Sequence, residues 1–145
     1  EGVKGFVVQS IPNPDAGEIL ADIFTNELSR INIYSVLTRS DVKDRIRAGR
    51  VKEKDLVRQK DYATLQKTLK VDAVVIGKTD AFGIKNMPIY ERGLVAFSAE
   101  SIDVRNGNVV WSIEMNRSEP YKNEVELAKE TTRKLMEQLK DDLKK

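Results

Sequence analysis

The segment Val104-Arg105-Asn106-Gly107-Asn108-Val109 constrains the fold of this chain more than any other. Asn-Gly accepts the positive backbone angles of a two-residue type I′ turn, and apolar residues alternate on both sides of it, so the segment predicts a long β-hairpin. Counting outward from the turn sets Val104 opposite Val109 and Ile102 opposite Trp111, on the face that also carries Ile113 and Met115. Val95 and Phe97 have the opposite parity, which calls for a bulge between Ala99 and Ser101 or for a strand covered on both sides.

A hairpin needs cover, and the rest of the chain supplies it. Gly5 to Ser10 reads as a short strand closed by Pro12 and Pro14; Asn13 or Asp15 can cap the helix that follows, and Asp15 with Glu18 resembles a capping box. Ile19, Leu20, Ile23, Phe24, Leu28 and Ile31 place an apolar stripe along that helix, through to about Arg30. Ile33 to Thr38 reads as a second strand. Ser40 then caps a short helix from Asp41 to Ala48 that Gly49 ends. Arg50 to Lys60 is polar, a loop or helical piece leading into a helix from Asp61 to about Lys70, and Asp72 to Thr79 is an apolar central strand. From Glu124 to about Leu143 the pattern is an amphipathic helix, with Val125, Ala128, Leu135, Met136, Leu139 and Leu143 on one face and a Glu130–Lys134 pair outside. The expected fold is a single α/β domain over residues 1–145, its mixed sheet of three early strands and a C-terminal antiparallel hairpin packed by helices. A length of 145 residues suits one core.

With no histidine and no cysteine, the chain has no Ser/His/Asp triad, thiol nucleophile, imidazole or thiolate zinc site, or disulfide. Catalysis would rest on carboxylates, lysines, hydroxyls or an added metal. Gly77-Lys78-Thr79 resembles the end of a phosphate-binding loop, but Asp72 stands where that loop needs its first glycine and no helix pattern follows. Glu100, Asp103 and Glu114 lie on the hairpin without the parity of an acid–base pair, and Trp111 with Ile102 reads as a core pair. No catalytic, cofactor-binding or metal-binding residue is assigned, and no cofactor is expected.

Twenty-five basic and 23 acidic side chains nearly cancel, but residues 39–60 carry nine basic and four acidic groups. Arg45, Arg47, Arg50 and Lys52 in that stretch are candidates for binding an anion or an acidic partner surface, against a solvated helical face as the plainer reading. No aromatic residues interleave to stack bases, so nucleic acid is not an expected partner. Residues 81–93 read as an apolar loop. Phe82, Ile84, Met87 and Tyr90 are its candidate protein-binding residues if it is exposed, and part of the core edge if it folds inward.

Three patterns in order carry a family resemblance: Ser35-Val36-Leu37-Thr38-Arg39 before a capped helix, the strand Val71 to Gly77, and the hairpin Ile102 to Ser112. Over roughly residues 3–140 the chain resembles the superfamily of bacterial envelope lipoproteins that includes CsgG and LpoB. The resemblance implies a non-catalytic domain on the periplasmic side of an outer membrane, tethered by an N-terminal lipid and acting through protein contacts. Its work would be accessory or scaffolding, in secretion, surface-appendage or peptidoglycan-synthesis assemblies. Two departures limit it: no pair of segments is left over for a membrane-crossing hairpin, and the lipid-bearing cysteine is absent. Glu1 is not a methionine, so the signal peptide and anchor are expected upstream, and the membrane is reached only through that lipid. Partners are then an envelope protein or further copies of the chain, with no small-molecule substrate. The alternatives are a small carboxylate- or metal-dependent hydrolase or phosphate-handling enzyme, and a structural subunit that self-associates through residues 81–93 or an exposed hairpin edge.

Overall fold

The computed structural model describes residues 9–52 and 62–144. Its elements in chain order are β1 (Gln9–Pro12), α1 (Ala16–Arg30), α2 (Arg39–Ala48), α3 (Tyr62–Leu69), β2 (Ala73–Asn86), β3 (Glu91–Asp103), β4 (Val109–Pro120) and α4 (Glu124–Leu143). The expected strand from Gly5 lies outside the described residues except at its end, as does the helical piece expected within 53–60. The α/β class, the C-terminal antiparallel hairpin and the helical cover are present. The described strands form one sheet in the order β1-β2-β3-β4, every pairing antiparallel. Ile33 to Thr38, expected as a strand, is irregular chain and leaves the sheet without a parallel crossover.

The hairpin forms, one residue out of the expected register. Ser101 faces Trp111, Ala99 faces Ile113 and Phe97 faces Met115. The turn is the reason. Only Gly107 takes a positive φ, at 75°, and its amide donates to the Asp103 carbonyl at 2.7 Å, closing a wider loop than type I′. A Cβ on Gly107 would come within 3.0 Å of the Tyr62 ring, so glycine also lets α3 lie against the turn. The register shifts between Ser101 and Ile102, which lets Val95, Phe97, Ala99, Trp111, Ile113 and Met115 share one face without a bulge in β3.

Helices α1 and α4 cover that face. Leu20, Ile23, Phe24 and Leu28 of α1 and Leu127, Ala128, Met136 and Leu139 of α4 join Phe82, Val95, Phe97, Ala99 and Met115 in the main core. Trp111 stacks on Phe24 with ring centroids 6.2 Å apart, and Ile102 is not its neighbour across the strands. Of the two capping candidates for α1, Asn13 bonds, its Oδ1 accepting from the Asp15 amide, whereas the Asp15 side chain makes no cap hydrogen bond and Glu18 turns outward to Arg39 and Lys43, so the capping box does not form. Thr38, not Ser40, caps α2 by accepting from the Asp41 amide. At the start of α4, Asn123 accepts from the Glu126 amide. Glu130 is bonded by Lys122 at 2.6 Å in place of the expected Lys134.

A second, smaller cluster sits at the hairpin end. Leu65 and Leu69 of α3 pack with Val104, against Val42, Ile46, Val51, Val71 and Val74. The other face of the sheet carries Ile76, Lys78 and Ala81 from β2, Leu94, Ala96, Ser98 and Glu100 from β3, and Ser112, Glu114, Asn116 and Ser118 from β4. Apart from the hairpin end, none of the described helices packs on it.

Candidate functional site

The apolar set splits. β2 runs on to Asn86 and β3 begins at Glu91, so the expected loop of residues 81–93 is mostly paired strand. Phe82 is 3% exposed and belongs to the core, because its partner Val95 fixes it on the helix-covered face. It is not a surface anchor. Ile84 is half-buried between Ile11 and Gly93. Met87 and Tyr90 frame the tight turn, with the Met87 amide donating to the Tyr90 carbonyl at 2.8 Å.

Two residues outside the expected set complete this end of the sheet. Ile89 is 88% exposed and Tyr121 is 79% exposed. The Tyr121 ring lies 5.3 Å from that of Tyr90, and its amide donates to the Glu91 carbonyl at 2.9 Å. Tyr121 holds φ at 63°, a costly angle for an aromatic residue. Gly93 makes the arrangement possible: a Cβ there would fall 2.5 Å from the Lys122 carbonyl, so only glycine lets the chain between β4 and α4 pass so close. Pro88 between Met87 and Ile89 marked the turn in the sequence; nothing local marked Tyr121 as its neighbour.

The basic set is dispersed and partly spent inside the fold. Arg45 donates to the carbonyl of Leu69 at the end of α3. Arg47 stays exposed, 3.9 Å from Asp44, and Arg50 sits at a φ of 55° just past α2. Lys52 is exposed. The open cleft between α2 and α3 is lined by Arg45 but not by Arg47, Arg50 or Lys52; Lys67 and Lys70 join it instead. Arg39 and Lys43 tie α2 to α1 through Glu18, at 3.1 and 3.2 Å, and Arg39 also reaches Asp22 at 3.2 Å. The Lys43 hydrogen bond and the Arg39 charge hold the Glu18 carboxyl below its ordinary range.

Two of the hairpin carboxylates, Glu100 and Glu114, share one face, contrary to the parity of the expected register, and Asp103 stands apart from them. Glu100 pairs across the strands with Ser112 and Glu114 with Ser98, placing both on the helix-free face beside Lys78. Asp103 is gripped by Arg105 at 2.9 Å, which holds its carboxyl low. Among the described residues no group of three or more acidic side chains is placed to hold a metal ion. Gly77-Lys78-Thr79 lies inside β2, where no helix follows to cradle a phosphate.

No family model and no curated protein matches the chain. Solved structures do share its fold. Lipoprotein GNA1162 from Neisseria meningitidis superposes with a TM-score of 0.70 at 17% identity, covering 90% of each chain. PelC from Paraburkholderia phytofirmans, a dodecamer, superposes with a TM-score of 0.60 at 22% identity, over 86% of this chain and 75% of its own. A leucine-to-methionine variant of PelC, also a dodecamer, gives 0.63 at 20% identity, over 87% and 77%. At these identities the likeness is one of fold. No helix among the described residues is long and apolar enough to cross a membrane.

Proposed function

We propose that the chain is a non-catalytic accessory domain of the bacterial cell envelope, tethered through its N-terminal side and working as a scaffold built from several copies. The observation that carries this reading is the half-open sheet. One face is sealed by α1 and α4, whereas the other presents mostly small and polar side chains to solvent around a half-buried Ile76 and Leu94, and β4 ends the sheet with a 12-residue edge that no described strand pairs. An edge of that length offers backbone donors and acceptors to a neighbour, and natural sheets leave one open when a partner takes it or when charges guard it.

The likeness in fold to a lipoprotein and to a dodecamer supports both parts of the proposal, the envelope setting and the self-association. So does the resemblance to the CsgG and LpoB superfamily, which implies a periplasmic lipoprotein working through protein contacts. The surface chemistry agrees: Lys78, Glu100 and Glu114 line one broad, solvent-open depression on that face, an arrangement that favours register and specificity between surfaces over turnover.

Light scattering across a concentration series of the purified chain tests it. A defined oligomer is expected, and Asn116→Lys on β4 is expected to dissociate it while the circular dichroism spectrum stays native. A strict monomer at every concentration overturns the scaffold reading. Turnover of a phosphate ester or peptidoglycan fragment, abolished by Glu100→Gln or Glu114→Gln, overturns the non-catalytic one.

A further inference from the structure

The two ends of the sheet differ in what they expose and in where the chain enters. β1 pairs with β2 so that Gln9 lies opposite Asn86, immediately before the Met87–Tyr90 turn. Gln9, where the described chain begins, therefore lies at the end of the sheet that carries Ile89, Tyr90 and Tyr121, and not at the Asn106–Gly107 end. We propose that this end is a membrane-facing tip, with Ile89, Tyr90 and Tyr121 entering the interfacial layer of the bilayer to which the upstream chain tethers the domain. The inference rests on the envelope reading for its setting and adds a direct lipid contact by the folded domain itself.

The chemistry selects lipid over protein as the occupant. Ile89 supplies an aliphatic side chain almost free of contacts, and the tilted pair Tyr90 and Tyr121 supplies amphipathic rings of the kind that settle at headgroup level. The patch is a projecting turn with one neighbouring residue, far below the roughly 800 Å² per partner of a stable protein interface. Tyr121 is held outward at a positive φ that asparagine would take at less cost, so the ring is kept at the expense of backbone strain. The charges around it nearly balance. Lys122 is bound by Glu119 and Glu130, at 3.0 and 2.6 Å, and Arg92 donates to the Ser118 hydroxyl and carbonyl. Lys85 and Glu91 flank the turn with opposite signs. The contact is thus apolar and interfacial, and nearly indifferent to salt.

Three side chains hold a bilayer only weakly unless a tether raises their effective concentration. The composition makes a clean experiment available. Lacking histidine, the chain binds nickel-chelating lipid only through an added N-terminal hexahistidine tag, and lacking cysteine, it takes a fluorophore only at an introduced one. Ile89→Cys and Val110→Cys, each carrying an environment-sensitive dye, report the two ends on tagged chain bound to vesicles of phosphatidylethanolamine, phosphatidylglycerol and nickel-chelating lipid. Val110, 55% exposed at the far end, is the control.

The expected result is a blue shift and quenching by spin-labelled lipid at position 89, unchanged in high salt, with position 110 left aqueous. In untagged chain, Ile89→Ser with Tyr121→Asn is expected to lower residual vesicle binding by roughly tenfold for each side chain withdrawn from lipid. Position 89 remaining aqueous on the vesicle overturns the proposal, as does equal entry of position 110. A blue shift at position 89 before vesicles are added also overturns it, since the tip would then be covered by protein. Because the tag replaces the natural tether, a failure here leaves the envelope reading to be judged separately, by fractionating cells that express the complete precursor.

Discussion

The two faces of the sheet obey opposite rules although they alternate along the same strands. In β3 the residues Val95, Phe97 and Ala99 are buried, while Leu94, Ala96 and Ser98 between them are only half-covered and Glu100 is exposed. One face carries large apolar side chains matched to α1 and α4; the other carries mostly small or polar ones around Ile76 and Leu94, and away from the hairpin end no described helix meets them. The difference teaches that stability and contact are separated by the pleat of the strand. A one-residue register slip would exchange them.

The largest expected effect comes from breaking the sealed face. Leu127→Ala, in the helix that crosses all of β2, β3 and β4, is expected to cost about 2–5 kcal/mol in denaturant unfolding, the range for emptying a buried leucine site. Phe82→Ser belongs to the same class and should leave little folded protein. Leu94→Ala on the opposite face should cost less than half as much while altering the oligomer seen by light scattering. Equal losses at Leu127 and Leu94 would erase the distinction between the faces.

An intermediate effect is expected where α4 joins the sheet. Gly93→Ala drives a Cβ into the backbone of residues 122 and 123, which must move away, and a loss of about 1–3 kcal/mol is expected in thermal unfolding. The open face should respond least. Ser112→Lys and Asn116→Lys are expected to change monomer stability by no more than about 0.5 kcal/mol, yet to shift association strongly.

Acid sharpens the comparison at the smallest scale. The exposed Glu18 and the half-buried Asp103 and Glu119 are carboxylates held low by Lys43 and Arg39, by Arg105 and by Lys122 respectively. A carboxyl lowered in the folded state adds stability that is complete above its unfolded pKa and is lost as pH falls through the folded one. Loosening of α2 from α1 is therefore expected only below the ordinary carboxylate range, followed by the amide signals of α2 in an NMR titration. High salt at neutral pH should weaken the same contact, and the main core should not respond.

Much of this division was legible in the residues. The stripe of α1 and the alternation of β3 and β4 announced a sealed face, and Asn106-Gly107 announced the hairpin. Its register was not legible, because the loop closes through the Asp103 carbonyl and the turn type depends on α3 lying against Gly107. Gly83, Lys85 and Asn86 look like loop residues, yet pairing with both β1 and β3 keeps them in strand. Ile33 to Thr38 fails the other way: despite its β-branched residues it pairs with no described strand, and Tyr34 accepts a hydrogen bond from Trp111 Nε1. The basic stretch looked like one patch because helical spacing cannot reveal Glu18 and Asp22 waiting on another helix. Tyr121 joins Ile89 only through tertiary pairing, which no local pattern encodes.

Amide hydrogen exchange at two protein concentrations tests most directly whether the open side of the sheet is where copies meet. Protection along Val109–Pro120 is expected to rise with concentration while α1 and α4, already sealed, keep their rates. Exchange in β4 that ignores concentration, or protection that gathers on the helical side, would contradict the account.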